Sequence, residues 1–346
     1  METILVLGHV EADGSLAKPV LEAIAAAKEL GGAFSVGLIG GETQPAANQV
    51  AGCGAAKFYG ISGAEFTQAR YATDAAAAEA IARAAGAGIV LVPHTSRWGR
   101  VVSGVAARLG GRADTHVTGI TAADGKLSVT RWYYRQRMEA VMTRTQRPWF
   151  IALDPGCRAP WNGAAGTPPG SGPAAATTAV AVTVPAVRTA VAGVVAPSAG
   201  KQTIRPEAAL LFVAGAGWTK KQPDGQTHIP DAEKLILGFL DLTQASLGSS
   251  KSLVDLSGEG QAVLPFMSHL NQIGQTGATP RHPKGLSTCC HGEEPHAVGW
   301  RFINERRAIN LDPNCGWARG KTDVLYVADA FAVVAKLNEM LAARPR

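Results

Sequence analysis

The strongest constraint on the fold is the regular alternation of short apolar runs with longer amphipathic stretches in the first part of the chain. Each apolar run has the length of a buried strand, and the stretches between the runs have the apolar spacing of helices. This alternation predicts the α/β class, with a mostly parallel sheet and helices on both of its faces. The predicted strands are 3–10, 34–39, 57–61 and 88–93, and the predicted helices are 15–30 with Ser15 as N-cap, 45–51, 73–85 and a helix that ends at Leu109.

The segment after the fourth predicted strand, residues 94–100, is rich in polar and basic side chains. Polar residues at the carboxyl end of a strand, where a helix begins, lie where open α/β sheets bind anions. The alternative is a capped loop whose arginines, Arg97 and Arg100, are solvated. On the sequence alone we favour the capped loop.

The middle of the chain has a different pattern. Residues 115–153 alternate in the manner of strands and are broken by short polar turns, and their aromatic cluster beside arginines is more typical of exposed strands than of a nucleic-acid surface. Residues 156–173 are rich in Gly, Pro and Ala, which predicts a loop or linker. Residues 177–195 alternate Val, Ala and Thr, which predicts one or two exposed strands.

Length and composition favour a globular protein of two domains. At 346 residues the chain exceeds the usual size of one domain, so we expect an N-terminal α/β domain over 1–196 and a second domain over 197–346. Apolar residues make up 46% and charged residues 17%, which argues against global disorder. The formal net charge is +6, but the basic residues are scattered among acidic ones, so no nucleic-acid-binding module is predicted.

The sequence predicts an intracellular protein that is not inserted in a membrane. It has no apolar run of the roughly 18 residues that a spanning helix needs, and it begins with a strand pattern and not with a signal sequence. Its five cysteines include no C-x-x-C pair, which fits a reducing compartment better than a disulfide framework.

The second domain contains a distinctive hexapeptide, QIGQTG, at residues 272–277. Two glycines flank Gln275 and Thr276, a composition that suits a loop whose backbone N–H groups approach a ligand while an amide and a hydroxyl orient it. Around this loop we predict strands over 208–214, 308–310 and 323–330, a helix over 232–247, and a strand edge or loop over 249–255.

Six elements of this domain occur in the order found in one protein family. They are the glycine turn Gly215-x-Gly217 after a strand, Ser250-Lys251 with Val254-Asp255, the 272–277 loop, the 292–296 segment, the AINLDP stretch at 308–313, and Val327-Ala328-Asp329 before a last helix. In this order along the chain they resemble the FAD-binding domain of the electron transfer flavoprotein α-subunit. Residues 95–109 are similar to the N-terminal domain of the same family, so the resemblance covers nearly the whole chain.

The resemblance implies a function. In this family an α- and a β-subunit form a heterodimer, which holds FAD mostly in the Rossmann-like C-terminal domain of the α-subunit. The complex accepts electrons from flavoprotein dehydrogenases of the acyl-CoA or methylated-amine (methylglycine) type. It passes them to the membrane electron transfer flavoprotein–quinone oxidoreductase and performs no bond chemistry on a substrate. A bacterial member would act in the cytoplasm.

The resemblance also implies a set of FAD-binding residues. Gln275 and Thr276 are expected to hydrogen-bond the flavin and its chain. His296 is expected near the pyrimidine edge of the ring, where a donor raises the reduction potential. Lys251 stands where the family has an arginine over the ring, and Asn310 and Asp329 match positions that hold the ribityl and adenosine portions. The complete predicted set is Gly217, Ser250, Lys251, Gln272, Ile273, Gly274, Gln275, Thr276, Gly277, His291, Gly292, Glu293, Glu294, His296, Asn310, Asp329 and Ala330.

The chain departs from the family pattern near this set. The arginine expected between the two glycines of the turn is Ala216, so Lys220 or Lys221 would have to supply its charge. In the segment 291–295, HGEEP, a histidine replaces the family's serine, a proline replaces a glutamine, and two acidic residues are new. We therefore expect an altered flavin environment and a divergent branch of the family.

Three alternatives are weaker. Adjacent Cys289 and Cys290 lie near His291, His296 and Cys315, but adjacent residues seldom ligate one tetrahedral ion and the usual spacings are missing, so buried thiols are favoured and no metal site is predicted. A hydrolase with Cys290 as nucleophile lacks an oxyanion-hole or triad context. A nucleotide-binding regulatory or structural subunit that has lost flavin through the change at Ala216 is the remaining alternative.

The Thr276→Val variant should bind FAD about fivefold more weakly, because the exchange removes one hydrogen-bonding hydroxyl and preserves the shape of the side chain. The measurement is the ratio of flavin to protein in the absorption spectrum of the purified protein. Thr227→Val is the control, since Thr227 is expected in a loop outside the predicted set. Equal loss of FAD in both variants would contradict the assignment of the 272–277 loop.

Overall fold

Parallel strands dominate both halves of the chain in the computed structural model of the protein. The contacts divide the chain into two units, Met1–Val195 and Ala196–Arg346. The α/β class predicted from the sequence is confirmed. The structure describes residues 2–123, 125–133, 138–163, 174–184, 186–193, 204–205, 208–255, 263–274, 279, 281–288, 300 and 303–344.

The described strands of the first unit form one sheet. They are β1 Ile4–His9, β2 Phe34–Gly40, β3 Lys57–Ser62, β4 Ile89–Pro93, β5 Arg112–Ala123, β6 Lys126–Tyr133, β7 Met138–Met142, β8 Trp149–Leu153 and β9 Thr177–Ala179. Their order in the sheet is β7-β6-β5-β8-β4-β1-β2-β3-β9. Neighbouring strands in the series β5-β8-β4-β1-β2-β3-β9 pair in parallel. On the other side of β5, β6 and β7 extend the sheet by antiparallel pairing.

Helices cover both faces of this sheet. They are α1 Lys18–Glu29, α2 Gln44–Gln49, α3 Tyr71–Ala85, α4 Ser96–Gly99 and α5 Val102–Arg108. Alternate residues of β1 point to opposite faces, so Ile4 packs in the same apolar cluster as Ile24 of α1, and Leu5 packs in the cluster of Ile81 of α3. Because both faces are buried, the central strands are mostly apolar, which explains why their sequence shows nearly continuous apolar runs.

One local prediction for this unit is wrong. Ser15 does not cap α1; the helix begins at Lys18, its N-cap is Ala17, and the Ser15 hydroxyl donates to Asp13 Oδ1 at 2.6 Å. Pro19 fixes the backbone of the first turn and has no N–H group to be capped, so the helix begins without a side-chain cap. Of the one or two exposed strands predicted over 177–195, the described residues contain one, β9, which spans only Thr177–Ala179.

The described strands of the second unit form a wholly parallel sheet. They are β10 Leu210–Ala214, β11 Ser246–Ser249, β12 His282–Thr288, β13 Ile303–Asn310 and β14 Val324–Val327. Their order is β11-β10-β12-β13-β14. The chain therefore moves outward from β10 to β11 and then reverses to build β12, β13 and β14 on the other side, which is the topology of a doubly wound sheet.

Helices and apolar side chains cover both faces of the second sheet. The helices among the described residues are α6 Ile229–Thr243, α7 Lys251–Asp255, α8 Gly316–Lys321 and α9 Ala330–Ala342. Phe212 packs with Ile236 of α6 and Val334 of α9 on one face, and Leu211 packs with Trp317 of α8 on the other. Within the described part of the chain, no helix combines the length and the apolar character that crossing a membrane requires.

Two helix boundaries in the second unit differ from the prediction. The helix predicted over 232–247 ends at Thr243, because Gln244 adopts a left-handed conformation with φ of 54° and β11 begins two residues later. The stretch predicted as a strand edge or loop contains the helix α7, and the Ser250 hydroxyl accepts a hydrogen bond from the Leu253 amide at its start.

A buried carboxylate joins the parallel and antiparallel parts of the first sheet. Asp114 of β5 is 1% exposed and accepts hydrogen bonds from Arg131 of β6 at 3.0 Å, from Arg144 at 2.5 and 2.9 Å, and from Trp149 of β8 at 2.9 Å. Burial raises the pKa of Asp114, but the hydrogen bonds from Arg144, Trp149 and Arg131 outweigh it and leave the pKa below its usual value. The ionised form therefore stabilises the folded state.

The Asp114→Ala exchange should lower the free energy of unfolding by about 3 kcal/mol, the lower end of the range for breaking a buried ion pair, because Arg144 is partly exposed. Urea unfolding followed by tryptophan fluorescence measures this loss. Because the pKa is lower in the folded state, the difference from the wild type should be full above about pH 4 and shrink at lower pH.

The control for this prediction is Glu29→Ala, which removes the ion pair of an exposed carboxylate with Arg158 in the same unit. Its cost should be small, because exposed pairs are screened by water. A loss in Glu29→Ala equal to that in Asp114→Ala would contradict the role of Asp114.

Candidate functional site

The described residues of the predicted FAD set lie beyond the carboxyl ends of the strands of the second sheet. Gly217 is in the 3-10 turn after β10, Ser250 and Lys251 follow β11, Asn310 is the last residue of β13, and Asp329 and Ala330 follow β14. Because all five strands are parallel, these positions share one edge of the sheet. Open α/β sheets bind ligands at this edge, next to the point where the strand order reverses.

The first half of the 272–277 loop is fixed to β11. Gln272 forms a parallel bridge with Ser249, and the Ile273 amide donates to the Ser249 carbonyl at 3.2 Å. Gly274 adopts a left-handed φ of 76°, and its amide donates to the hydroxyl of Thr279. The backbone of the loop is therefore held at the carboxyl edge before its second half begins. Residues 275–277, His291–Glu294 and His296, which complete the predicted set, lie outside the described residues.

Asn310, Asp329 and Ala330 line one small pocket together with Gln222. The Gln222 side chain donates to the Gly217 carbonyl at 3.1 Å, so the turn after β10 adjoins this pocket. Its enclosed volume of about 10 Å³ is the space of about one water molecule. The pocket is therefore a shallow depression at the carboxyl edge, and its lining residues show only that these positions are neighbours.

Two buried polar atoms at the carboxyl edge have no hydrogen-bond partner among the described residues. They are the side-chain nitrogen of Asn310, a residue that is 2% exposed, and the hydroxyl of Ser249, which is fully buried. Asn310 Oδ1 is satisfied by the Asp312 amide at 3.0 Å, which fixes the orientation of the side chain and leaves Nδ2 as the open donor. Buried polar groups are nearly always paired, so these atoms fit a site that is completed by a polar ligand.

Positive charge at this edge is carried by Lys251, Lys220 and Lys221, and not by residue 216 inside the glycine turn. Lys251 is largely exposed, and its Nζ lies 3.4 Å from Asp255 Oδ2, one helical turn along α7. Ala216, where the resemblance expects an arginine, is fully buried in the apolar cluster of Phe212 and Trp218. The exposed Lys220 and Lys221 follow the turn directly.

Asp329 begins the last helix of the unit. Its carboxylate accepts a hydrogen bond from the Phe331 amide at 3.1 Å and so caps α9. An N-cap carboxylate is held in one orientation by the helix backbone. The position of Asp329 beside Asn310 therefore follows from the helix that it starts.

In the first unit, the loop at residues 94–100 is a capped loop, as favoured from the sequence. Thr95 Oγ1 accepts from the Trp98 amide at 3.3 Å, which caps α4. The prediction that Arg97 is solvated is wrong, because its guanidinium donates to both carboxylate oxygens of the buried Asp74, at 2.9 and 2.6 Å, and to the Phe66 carbonyl at 2.7 Å. Asp74 lies distant in the sequence, so the local pattern carried no sign of this pair.

Sequence comparison identifies the family. The model of the electron transfer flavoprotein domain matches residues 4–189, more than half of the chain. The chain belongs to the electron transfer flavoprotein domain family, which confirms the resemblance at the level of the family. The matched region ends before the first residue of the predicted FAD set. No curated protein matches the chain.

The Gly248→Ala exchange should displace the start of the 272–277 loop. A Cβ at Gly248 would lie 2.7 Å from Ile273 Cγ2 and 3.2 Å from Leu211 Cδ1, so the alanine should destabilise the second unit by about 1–3 kcal/mol. Faster amide hydrogen exchange at Ile273 measures the displacement. Gly320→Ala in α8 is the control, since its Cβ meets no atom within 4 Å. Unchanged exchange at Ile273 in Gly248→Ala would contradict this packing.

Proposed function

We propose that the protein is the α-subunit of an electron transfer flavoprotein and binds FAD at the carboxyl edge of its second sheet. Together with a β-subunit it accepts electrons from flavoprotein dehydrogenases of the acyl-CoA or methylated-amine type and delivers them to a membrane quinone oxidoreductase. The family match of the first unit supports the electron-transfer class. The observation that carries the cofactor assignment is the side-chain nitrogen Nδ2 of Asn310, which is buried at the predicted site and has no hydrogen-bond partner among the described residues.

The described residues fit the cofactor in distinct ways. Asn310 Nδ2 would donate to a polar oxygen of the FAD chain, because its own amide oxygen is already occupied by Asp312. The backbone of Gln272 and Ile273, fixed on β11, would bring the glycines of the loop against the cofactor. Lys251 would place a positive charge at this edge, where it favours an anionic group.

When bound, FAD supplies the redox chemistry of the proposed function. The chain contributes orientation and electrostatics, and the proposal includes no bond-making step on a substrate.

The test of the proposal is the cofactor content of the protein purified after co-expression with its neighbouring candidate β-subunit. We expect a yellow complex that releases a stoichiometric amount of FAD on denaturation and that is bleached by stepwise dithionite reduction. A colourless complex that releases AMP would overturn the proposal in favour of a nucleotide-binding regulatory subunit. A colourless complex without nucleotide would also overturn it.

The Asn310→Asp variant tests the site directly. The exchange keeps the oxygen that accepts from Asp312 and replaces the open N–H donor by a second oxygen, so FAD affinity should fall by about tenfold or more. The measurement is the dissociation constant from fluorescence titration of the flavin-free complex with FAD. Asn304→Asp makes the same exchange near the amino end of β13, at an exposed position that accepts from Arg281 at 3.2 Å, and should leave FAD binding unchanged. Equal affinities in the two variants would contradict the role of Asn310.

A further inference from the structure

Three side chains of the first unit, which have no place in the proposed flavin site, meet at the carboxyl ends of neighbouring parallel strands. His94 follows β4, Asp154 follows β8, and His116 lies in β5 on the other side of β8. Two backbone hydrogen bonds hold these positions together: the His94 amide donates to the Leu153 carbonyl at 2.7 Å, and the Asp154 amide donates to the Val117 carbonyl at 2.8 Å. The sheet itself therefore fixes the three Cα positions.

The side chains converge on one carboxylate oxygen. His94 Nδ1 lies 3.1 Å and His116 Nδ1 lies 3.4 Å from Asp154 Oδ1, and the ring centroids of the two histidines are 4.3 Å apart. One ligand atom from each of the three residues falls within 4.8 Å of the others. A tetrahedral ion with bonds of about 2.0–2.1 Å separates its ligand atoms by about 3.3 Å, so the two nitrogen–oxygen distances match the edges of such a site.

The backbone is distorted where it presents His116. The pairing of β5 with β8 shifts between Asp114 and Val117, so that two residues of β5 stand against one of β8 in a β-bulge. Within the bulge His116 has a left-handed φ of 56°, which is unfavourable for a residue other than glycine. The bulge interrupts the regular alternation of side chains along β5, and the His116 imidazole lies against Asp154. Strain of this kind concentrates at functional sites.

We propose that His94, His116 and Asp154 bind a divalent transition-metal ion. Two imidazole nitrogens and one carboxylate oxygen are the ligand set of zinc and of related ions of borderline softness, whereas calcium and magnesium prefer oxygen ligands only. The set supplies three protein ligands, which leaves a fourth position for water or another small ligand. Asp154 is buried, His94 is partly buried and His116 is half exposed, so the ion can enter from the side of His116.

The site differs from the soft ligands that stand out in the sequence. Cys289, Cys290 and His291 are adjacent in the chain, whereas these three ligands come from strands that are distant in sequence and neighbours only in the sheet. The competing explanation is a carboxylate that accepts hydrogen bonds from two histidines and binds no ion. Zinc binding separates the two explanations.

The test is titration of the purified full-length chain with zinc chloride in a non-chelating buffer, after removal of metal by a chelator. We expect the wild type to bind zinc with one-to-one stoichiometry by isothermal titration calorimetry. His116→Asn should lower the affinity at least about 100-fold, since exchanging even a residue that only hydrogen-bonds a metal ligand costs metal sites 10–100-fold. Asparagine is chosen because it tolerates left-handed φ and removes only the imidazole. Asp154→Asn provides a second variant at the buried ligand, and the thermal midpoint of each metal-free variant shows whether it is folded.

Two controls locate the ion. His228 also contacts two carboxylates, Asp224 at 2.7 Å and Asp231 at 3.2 Å, on an exposed surface, so His228→Asn is matched to His116→Asn and should bind zinc like the wild type. The double variant Cys289→Ser and Cys290→Ser should also retain wild-type affinity. Cobalt(II) should give the visible bands of a nitrogen- and oxygen-ligated ion in the wild type, without thiolate charge-transfer absorption.

Either of two results would overturn the proposal. One is a wild type that binds zinc no more tightly than a folded His116→Asn variant. The other is zinc binding that is lost in the cysteine or His228 variant and retained in His116→Asn. Both results are independent of FAD content, so they leave the proposed electron-transfer function untouched.

Discussion

Parallel strand pairing is the constraint on which the rest of this structure depends. In a parallel sheet every strand ends at the same edge, so residues that are far apart in sequence become neighbours there. In the second unit this edge gathers the turn after β10, the start of α7, the end of β13 and the cap of α9. In the first unit it gathers His94 and Asp154, with His116 brought to the same place by a bulge. The residues proposed to bind ligands in each unit therefore lie where the hydrogen-bonded ladder of the sheet ends.

The two units supply different kinds of support for the proposed function. The family is established by residues 4–189, within the first unit, whereas the residues proposed to bind FAD are in the second. The family match and the open Asn310 donor do not depend on each other, because one rests on sequence over the first sheet and the other on hydrogen bonding at the end of β13. A divergent flavin site is compatible with both, since Ala216 changes the charge of the glycine turn and leaves the strand order intact.

Much of the fold follows from the sequence because buried parallel strands leave a local signal. The runs that became β1, β2, β3 and β4 are apolar on both faces, and the helices between them have their own period, so the α/β class was predictable. The predicted FAD-binding residues, by contrast, could be proposed only from six motifs that occur in the order found in one family. Pairings between distant residues leave no local signal, and so Arg97 with Asp74, and His116 with Asp154, appear only in the structure. Ser15 failed as a cap because Pro19, four residues later, decides where α1 begins.

The short strand β9 has a consequence for how the first sheet is made. β9 pairs in parallel with β3 at the sheet edge, although the hairpins of β5 to β7 and the whole of β8 intervene in the chain. During synthesis, β3 is therefore complete long before Thr177 leaves the ribosome, and until then its edge offers unpaired backbone groups to any other strand. A chain cut short in the Gly- and Pro-rich stretch before β9 would keep that open edge permanently, and self-association of such fragments is the expected fate of incomplete translation products.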